Sequence, residues 1–259
     1  MLNTEYFYPT MEVQIGQYHL NEGIKLDVYS SKESYFDWAK ISFTDKMVEA
    51  TEFKEMEEVN IFLGYEDENE EVVFEGYVDK TVNNGNTLMD QIVAKDEMKK
   101  LEKTKITETF LNTSPQEILM YGLDKAGIDK YELNQDLFTK KSIIPISQKN
   151  VIQLINEIHR TWNIEERFFF SQGKIFYWGI KPKQKKIYEF TFGENIINME
   201  YENGFWMIET ISVPHIKHSH KISVQHPRVE GIFEVYKVHF LVNDKGFPRT
   251  KIYFKEDEE

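Results

Sequence analysis

The chain has 259 residues, 41% of them hydrophobic and 14% aromatic, so it is long enough for one large domain or two to three smaller ones. It contains no cysteine, which excludes disulfides and thiolate metal sites, and its net charge of -13 argues against a protein that grips nucleic-acid phosphates. The sequence has neither an apolar run of about eighteen residues nor a secretory signal pattern, so we expect synthesis in a cytoplasm and no membrane insertion.

Residues 1–105 have the pattern of short β-strands. Segments such as "IKLDVYSS", "VNIFLGYE" and "EVVFEGYVDKTV" alternate apolar and polar residues, and turn signals such as "NNGN" at residues 83–86 separate them. This spacing predicts a first small antiparallel β-barrel domain. The acidic residues crowd between Glu49 and Asp79, which we interpret as a solvated rim, with an acidic surface near a channel as the alternative.

Residues 106–186 differ, because they carry helical signals. "NTSPQEILMYGLDKAGI" places Ser114 as N-cap, Pro115 in the first turn, Glu117 to complete a capping box and Gly127 as a stop. A second helix fits "SQKNVIQLINEIHRTWN", where apolar residues recur at spacings of three and four. "RFFFSQGKIFYWGIK" then reads as a hairpin around Gln172 and Gly173. Two helices and a hairpin predict an α+β insert domain.

Residues 187–259 return to strands and resemble the first section. "VVFEGYVDKTVNNGNTLMDQIVAKDE" and "GIFEVYKVHFLVNDKGFPRTKIYFKEDE" share an apolar-Phe-Glu-x-Tyr strand, a glycine-bearing turn and a strand with an acidic end. The fold class is therefore predicted as mainly β with an α+β insert, in which two small related β-barrels flank the insert.

Four of the seven histidines lie within "SVPHIKHSHKISVQHP", the segment from Ser212 to Pro227. His215, His218, His220 and His226 are candidate ligands for zinc or another first-row metal, because neighbouring imidazoles on one strand face can share an ion. No HExxH helix or comparable carboxylate pairing accompanies them. The alternative, which we favour, is a hairpin turn in which the histidines replace other polar residues.

Catalytic signatures are missing from the sequence, so we expect neither an enzyme nor a cofactor. There is no Gly-rich phosphate loop after a strand and no G-x-S-x-G elbow. His159 falls at the edge of a helical apolar stripe, as a structural histidine would. The aromatic run Phe168–Phe170 with Phe176–Trp178 predicts packing against the helices, with a sugar-binding platform as the alternative.

The order of these elements resembles the baseplate hub proteins of contractile-tailed phages and prophages, the late-control-D or PBSX-type family related to type VI secretion spike proteins. Three stretches carry the resemblance: "WAKISFTDKM" through "VVFEGYVDKTV", "QIVAKDEMKKLEKTKITETFLNTSPQEILMYGLDKAGI", and "FTFGENIINMEYE" through "GIFEVYKVHF". Pro214, Val224, Gly231, Val235 and His239 fit the third. His218-Ser219-His220 stands where the family has a glycine-bearing turn, which leaves any family role for these histidines in doubt.

The resemblance implies a virion structural protein, a homotrimer whose two barrels per chain form a pseudo-sixfold ring. Such a hub adapts the sixfold tail tube to a threefold spike or central fibre and forms part of the channel for genome passage. Its partners would be the tail tube protein, the spike or fibre protein, the tape measure protein and other baseplate proteins. DNA would pass only transiently, eased by an acidic lumen. The expected location is the virion tail baseplate, assembled in the host bacterial cytoplasm.

Two other function classes remain open from the sequence. One is a carbohydrate-binding tail module that uses the aromatic hairpin, and the other is a metal-dependent enzyme built on the histidines. Because the sequence ends soon after the last strand pattern, we expect any lytic or needle activity of the particle to reside in another polypeptide.

Overall fold

The computed structural model describes residues 8–43, 53–66, 70–82, 91–165, 167–171 and 173–256. Three helices occur in these ranges: α1 (Met98–Lys103), α2 (Pro115–Lys125) and α3 (Val151–Trp162). The strands are β1 (Pro9–Ile15), β2 (Tyr18–Leu20), β3 (Ile24–Ser31), β4 (Trp38–Phe43), β5 (Glu58–Tyr65), β6 (Glu71–Val82), β7 (Gln91–Lys95), β8 (Lys105–Thr113), β9 (Tyr131–Leu133), β10 (Lys141–Asn150), β11 (Phe168–Ser171), β12 (Ile175–Trp178), β13 (Tyr188–Thr191), β14 (Asn198–Glu202), β15 (Phe205–Thr210), β16 (Lys221–His226), β17 (Val229–Val242) and β18 (Pro248–Phe254).

The chain divides into two compact units. Unit 1 comprises residues 1–96 and 183–259, and unit 2 comprises residues 97–182. Unit 1 contains one 13-stranded sheet with the order β14-β15-β18-β17-β3-β4-β7-β6-β5-β1-β2, from which β16 and β13 branch at β17. The prediction of a mainly β chain with an α+β insert is confirmed.

The two halves of unit 1 repeat one strand order. In the first half the order is β1-β5-β6-β7-β4-β3, and in the second it is β13-β16-β17-β18-β15-β14. In each half a long central strand, β6 or β17, pairs at its start with the strand before it and at its end with the strand after it. The outermost pair differs, because β1 is antiparallel to β5 whereas β13 is parallel to β16. The internal duplication predicted from the sequence is thus present in the topology.

The duplication is offset from the sequence motif that suggested it. The pairing of β6 with β7 shifts register between Val78 and Lys80, and the pairing of β17 with β18 shifts between Val235 and Lys237. These bulges make Val78 equivalent to Val235, whereas the Phe-Glu-x-Tyr match aligns Val78 with Lys237. The motif therefore identifies the correct pair of strands at a register two residues away.

The halves are joined edge to edge by a seam, defined here as the antiparallel pairing of β3 with β17 from Lys237↔Ser31 to Val242↔Leu26. This pairing merges the two strand sets into one sheet, and no closed barrel is found among the described residues. The separation of residues 1–105 and 187–259 into two hub domains flanking residues 106–186 stays a prediction.

Alternation of buried and exposed residues along the strands of unit 1 builds its core. The alternating pattern in β3 buries Ile24, Leu26 and Val28, and the end of β17 buries Val238, Phe240 and Val242. These side chains belong to one hydrophobic cluster that runs through both halves of unit 1. The seam therefore lies over a continuous core, as the period-2 burial of a sheet requires.

Unit 2 confirms the two predicted helices. Both have capping boxes: Ser114 with Glu117 starts α2, and Asn150 with Gln153 starts α3. The second helix begins later than its pattern indicated, because residues 147–150 still belong to β10. Gly127 follows α2 with a φ of +71°, which only glycine adopts without strain.

Other parts of unit 2 were not predicted. Helix α1 lies within residues 1–105, where the sequence pattern predicted strands, and the two-stranded ribbon of β8 and β10 was not among the elements predicted for residues 106–186. The aromatic hairpin is present as β11 and β12, and β12 also pairs in parallel with β9. Gln172 in that hairpin and the turn at residues 83–86 lie outside the described residues. Within the described ranges, no helix is long and apolar enough to cross a membrane.

Candidate functional site

The four candidate metal ligands do not share one site. His215 lies 3.4 Å from a carboxylate oxygen of Glu71 and stacks on the ring of Tyr188. His226 is elsewhere: its Nδ1 accepts the main-chain N–H of Arg228 at 3.2 Å. In the described part of the chain, no group of three or more His, Cys, Asp or Glu side chains could hold a metal ion.

The two central histidines are packed into the protein. The Nδ1 of His218 lies 3.0 Å from the hydroxyl of Ser219, and the Nδ1 of His220 accepts the main-chain N–H of Lys217 at 3.3 Å. Burial lowers the pKa of His218 to about 3 and that of His220 to about 4. Both imidazoles are therefore neutral at physiological pH, and their ring nitrogens serve the local turn.

The histidine-rich segment acts as a strap, defined here as residues Ser212–His220, that ties the two halves of unit 1 together. On the first half, the hydroxyl of Tyr65 donates to the carbonyl of Ser212 at 2.9 Å, and the Nζ of Lys217 donates to the carbonyl of Val72 at 2.8 Å. On the second half, the N–H of Ser219 donates to the carbonyl of Val235 at 2.7 Å. Buried hydrogen bonds of this kind position a segment and are costly to break.

Lys217 of the strap interacts electrostatically with a buried carboxylate of the first half, Asp37. Asp37 accepts the hydroxyl of Ser30 at 2.6 Å and the N–H of Ser31 at 3.1 Å, and burial raises its pKa to about 6. Burial also lowers the pKa of Lys217 to about 8, although the negative charge of Asp37 works against this shift. Nothing in the sequence pattern indicated this pair, because its members are 180 residues apart.

His159 and the aromatic hairpin are structural in their placement. The Nε2 of His159 accepts the indole N–H of Trp178 at 2.7 Å, and burial lowers the pKa of this histidine to about 4. Five of the six rings of this aromatic run, for which a sugar-binding platform was the alternative, are buried: Phe168, Phe170, Phe176, Tyr177 and Trp178. Rings that face a core are not available to stack on a sugar.

The seam presents an ordered row of side chains on the face opposite the core. His239 hydrogen-bonds to Asp27 across the seam, and Tyr29 stacks on Trp38 with ring centroids 5.3 Å apart. His239 also meets the edge of the Tyr29 ring. Together with the main-chain ladder, these contacts make the seam a specific interface rather than an incidental touching of edges.

The free edges of the same sheet are the other candidate site. Strand β14 pairs only with β15 among the described strands, and its Glu200, Tyr201 and Glu202 are exposed. At the end of β6, Lys80 and Thr81 are exposed. A free strand edge offers unpaired main-chain groups, which makes it a surface for strand pairing rather than for catalysis.

Solved structures with the same fold are tail proteins. The chain is similar to the 43 kDa tail protein of prophage MuSo2 from Shewanella oneidensis, with a TM-score of 0.75, 12% identity, and coverage of 96% of this chain and 98% of that chain. It is similar to the tail protein from Neisseria meningitidis MC58, with a TM-score of 0.72, 10% identity, and coverage of 97% of both chains.

A third similar structure belongs to a secretion machine. It is the E. coli c3393 protein, a component of the type VI secretion system with structural similarity to the T4 bacteriophage tail proteins gp27 and gp5; the TM-score is 0.68, the identity 10%, and the coverage 95% of this chain and 77% of that chain. No protein-family model and no curated protein sequence matches this chain. The chain therefore has the fold of phage tail proteins, as the resemblance in its sequence indicated.

Proposed function

We propose that this chain is a non-enzymatic structural hub of the baseplate in a phage tail or phage-tail-like particle. The observation that carries the proposal is the fold shared with tail proteins over 96% and 97% of the chain. The duplicated strand order in unit 1 supports it independently, because a repeat within one chain doubles the symmetry that an oligomer presents.

The proposed assembly is a homotrimer. Three copies with two similar halves each present six repeats, which fit a sixfold tail tube on one side. The same assembly keeps threefold symmetry for a spike or central fibre on the other side. The tail tube, spike or fibre, tape measure and other baseplate proteins are its proposed partners in the virion tail.

The proposed channel is passed by DNA without stable binding. Residues 1–96 contain 21 Asp and Glu but only seven Lys and Arg, so the first half carries most of the net negative charge. An acidic surface repels phosphates and gives no counterion-release affinity. The acidic bias therefore supports a path along which DNA slides, provided that it faces the lumen.

The test is the native mass of the purified chain by light scattering across a concentration series, with and without zinc, followed by negative-stain imaging. We expect a mass three times that of the 30.9 kDa chain, unchanged by zinc, and ring-shaped particles. If tube or spike partners drive assembly, the trimer forms when the tail tube protein is added. A chain that stays monomeric under both conditions, or that binds zinc stoichiometrically as a monomer, would overturn the proposal.

A further inference from the structure

The seam joins two strands that are not equivalent in the duplicated halves. In the first half, β3 is the terminal strand of the set β1-β5-β6-β7-β4-β3. In the second half, β17 is the central strand of its set. Their equivalents are β14, the terminal strand of the second half, and β6, the central strand of the first. The contact between a terminal and a central strand is thus made once within the chain, by β3 and β17. In the described part of the chain, the equivalent strands β14 and β6 do not make this contact.

The leftover edges have no strand partner in the described part of the chain. Strand β14 pairs with β15 only, so its outer edge ends the sheet. On β6, the partner β5 reaches only as far as Tyr77, whereas β7 on the other side continues to Val82. The corresponding end of β17 pairs on both sides, with β18 and with β3.

Residue equivalences follow from rows of paired residues across each half. The row Val78–Ala94–Ala39–Val28 crosses β6, β7, β4 and β3. The row Val235–Phe254–Trp206–Tyr201 crosses β17, β18, β15 and β14. Each row starts at the residue that immediately precedes the register shift of the central strand, Val78 or Val235. The last residues of the two rows, Val28 and Tyr201, are therefore equivalent.

The seam then gives the register of the second contact. Tyr29 lies opposite His239 across the seam. Tyr29 follows Val28 and Glu202 follows Tyr201, so Tyr29 is equivalent to Glu202. Lys237 and Lys80 are the first paired residues after the two register shifts. His239 follows Lys237, and Val82 follows Lys80, by the same number of residues, so His239 is equivalent to Val82. A contact that repeats the seam therefore places Glu202 of one copy directly opposite Val82 of another.

The side chains on the two edges are complementary. Glu200 and Glu202 are exposed acidic residues on β14, and Lys80 is an exposed basic residue on the end of β6. The residue equivalent to Lys80 is Lys237, at the start of the seam. Tyr201 adds apolar area on the β14 edge, where its side chain is 56% exposed. In this register Lys80 lies diagonally across from Glu202, and opposite charges at such positions favour one register over its neighbours.

We propose that β14 of one copy pairs with the end of β6 (Lys80–Val82) of a second copy, which repeats the seam between chains. This proposal rests on the homotrimeric hub of the proposed function and specifies its contact. The contact is heterologous, because each copy offers β14 to one neighbour and β6 to the other, and three copies close the ring. The ring then contains six terminal–central strand contacts, three within chains and three between them.

Disulfide cross-linking tests this pairing directly, because the natural chain has no cysteine. Directly opposed residues of antiparallel strands have Cα atoms about 4.5–5.5 Å apart, within reach of a disulfide. The double variant Glu202→Cys with Val82→Cys should run as a covalent trimer on a denaturing gel after mild oxidation. A 1:1 mixture of the two single variants should give covalent dimers only, and each single variant alone should stay monomeric on the gel.

Two further variants serve as controls. Ser31→Cys with Lys237→Cys spans the seam inside one chain, so it should form an intrachain disulfide without a change in mass. Glu202→Cys with Phe247→Cys combines a cysteine on the β14 edge with one in an exposed turn that the proposal does not place near it. This variant should give no covalent oligomers after oxidation. Light scattering of each reduced variant establishes whether the trimer is present before oxidation.

A charge swap provides a second, independent measurement. Glu202→Lys should weaken trimer formation by about tenfold at low salt, because each of the three contacts then places a like charge diagonally across from Lys80. Adding Lys80→Glu to the same chain should restore it. The effect should shrink at high salt, since exposed charges are screened.

The outcomes separate this inference from the proposed function. The pairing would be overturned by a trimer that the Glu202→Cys and Val82→Cys variant does not cross-link and that the charge swap does not weaken. The hub would remain supported in that case. A natural chain that stays monomeric with and without its tube partner would overturn the homotrimer itself.

Discussion

The two halves of unit 1 share a strand order but differ in charge. Residues 1–96 carry 21 acidic and seven basic residues, whereas residues 183–259 carry 12 acidic and 11 basic residues. The strand order is preserved because each strand must bury the same face against the same neighbours. Exposed positions have no such constraint. A ring built from three such chains would therefore alternate acidic and near-neutral repeats. Its strand order would repeat six times around the ring, whereas its charge pattern would repeat three times.

The halves also fill equivalent core positions with residues of different size. The first half uses Ala39 and Ala94 where the second uses Trp206 and Phe254. Gly76 in β6 is equivalent to Phe233 in β17, which packs on Phe254 with ring centroids 4.8 Å apart. Small residues let main chains approach closely, whereas large residues fill the same space with side chains.

The largest expected effect comes from forcing a side chain into the close approach. A Cβ added at Gly76 would lie 2.1 Å from the carbonyl oxygen of Lys95, so the main chains of β6 and β7 would have to separate. We expect Gly76→Ala to lower the free energy of unfolding by more than about 3 kcal/mol, measured by urea denaturation. The control Gly246→Ala, in an open turn with a positive φ, should cost only about 1 kcal/mol. Equal costs would contradict the close-approach explanation.

The second prediction concerns how the free energy of unfolding depends on pH, because buried groups of the two halves change it in opposite directions. The pKa values of His218 and His220 fall from 6.5 unfolded to about 3 and 4 when folded, so their stabilising contribution is complete above pH 6.5 and is lost as the pH falls. Asp37 has the opposite sign: its pKa rises from 3.8 to about 6, so its contribution to stability grows as the pH falls between those values. After discounting for solvent, these three groups of unit 1 should together lower the free energy of unfolding by about 2 kcal/mol between pH 7 and pH 4.5, and the lowered pKa of His159 in unit 2 acts in the same direction as the two histidines.

Thermal unfolding across this pH range checks the second prediction. His218→Gln should flatten the dependence, because the group that resists protonation is removed. Asp37→Asn should steepen it, because the opposing contribution is removed. A melting temperature that is constant from pH 7 to pH 4.5 in the natural chain would show that the buried histidines do not control acid stability.

The smallest predicted effect concerns the strap. Tyr65→Phe removes the hydroxyl that donates to the carbonyl of Ser212 and leaves that buried carbonyl without this bond. We expect a loss of about 1 kcal/mol in the free energy of unfolding. Tyr8→Phe, at a residue 72% exposed, is the matched control and should change stability by less than about 0.5 kcal/mol. A neutral Tyr65→Phe would show that the strap is held by its other contacts.

Local signals in the sequence predicted the local structure well. The capping box of Ser114 and Glu117 and the stop at Gly127 located α2, because these signals act within a few residues. The apolar stripe located α3, although the pattern could not show that residues 147–150 stay in a strand. Helix α1 and the ribbon of β8 and β10 were missed because their short, polar segments acquire structure from partners distant in the chain.

Long-range contacts decided what the sequence could not. In sequence, a cluster of histidines looks the same whether it binds an ion or packs in a turn. The contacts of His215 with Glu71 and of Lys217 with Val72 join residues far apart in the chain, so the sequence could not show them. The seam was also invisible, because the pairing of residues 26–31 with 237–242 depends on edges that both halves leave open. The repeat itself left a trace, but at a register two residues away from the structural one.

The seam bears finally on how such a chain could arise. Two halves with one strand order, joined terminal strand to central strand, are the expected product of gene duplication and fusion of a half-length ancestor. If the same edge contact closes the ring between chains, that ancestor would have assembled as a hexamer. Fusion would have left the assembly unchanged and halved the number of chains. From then on each half could evolve its own surface.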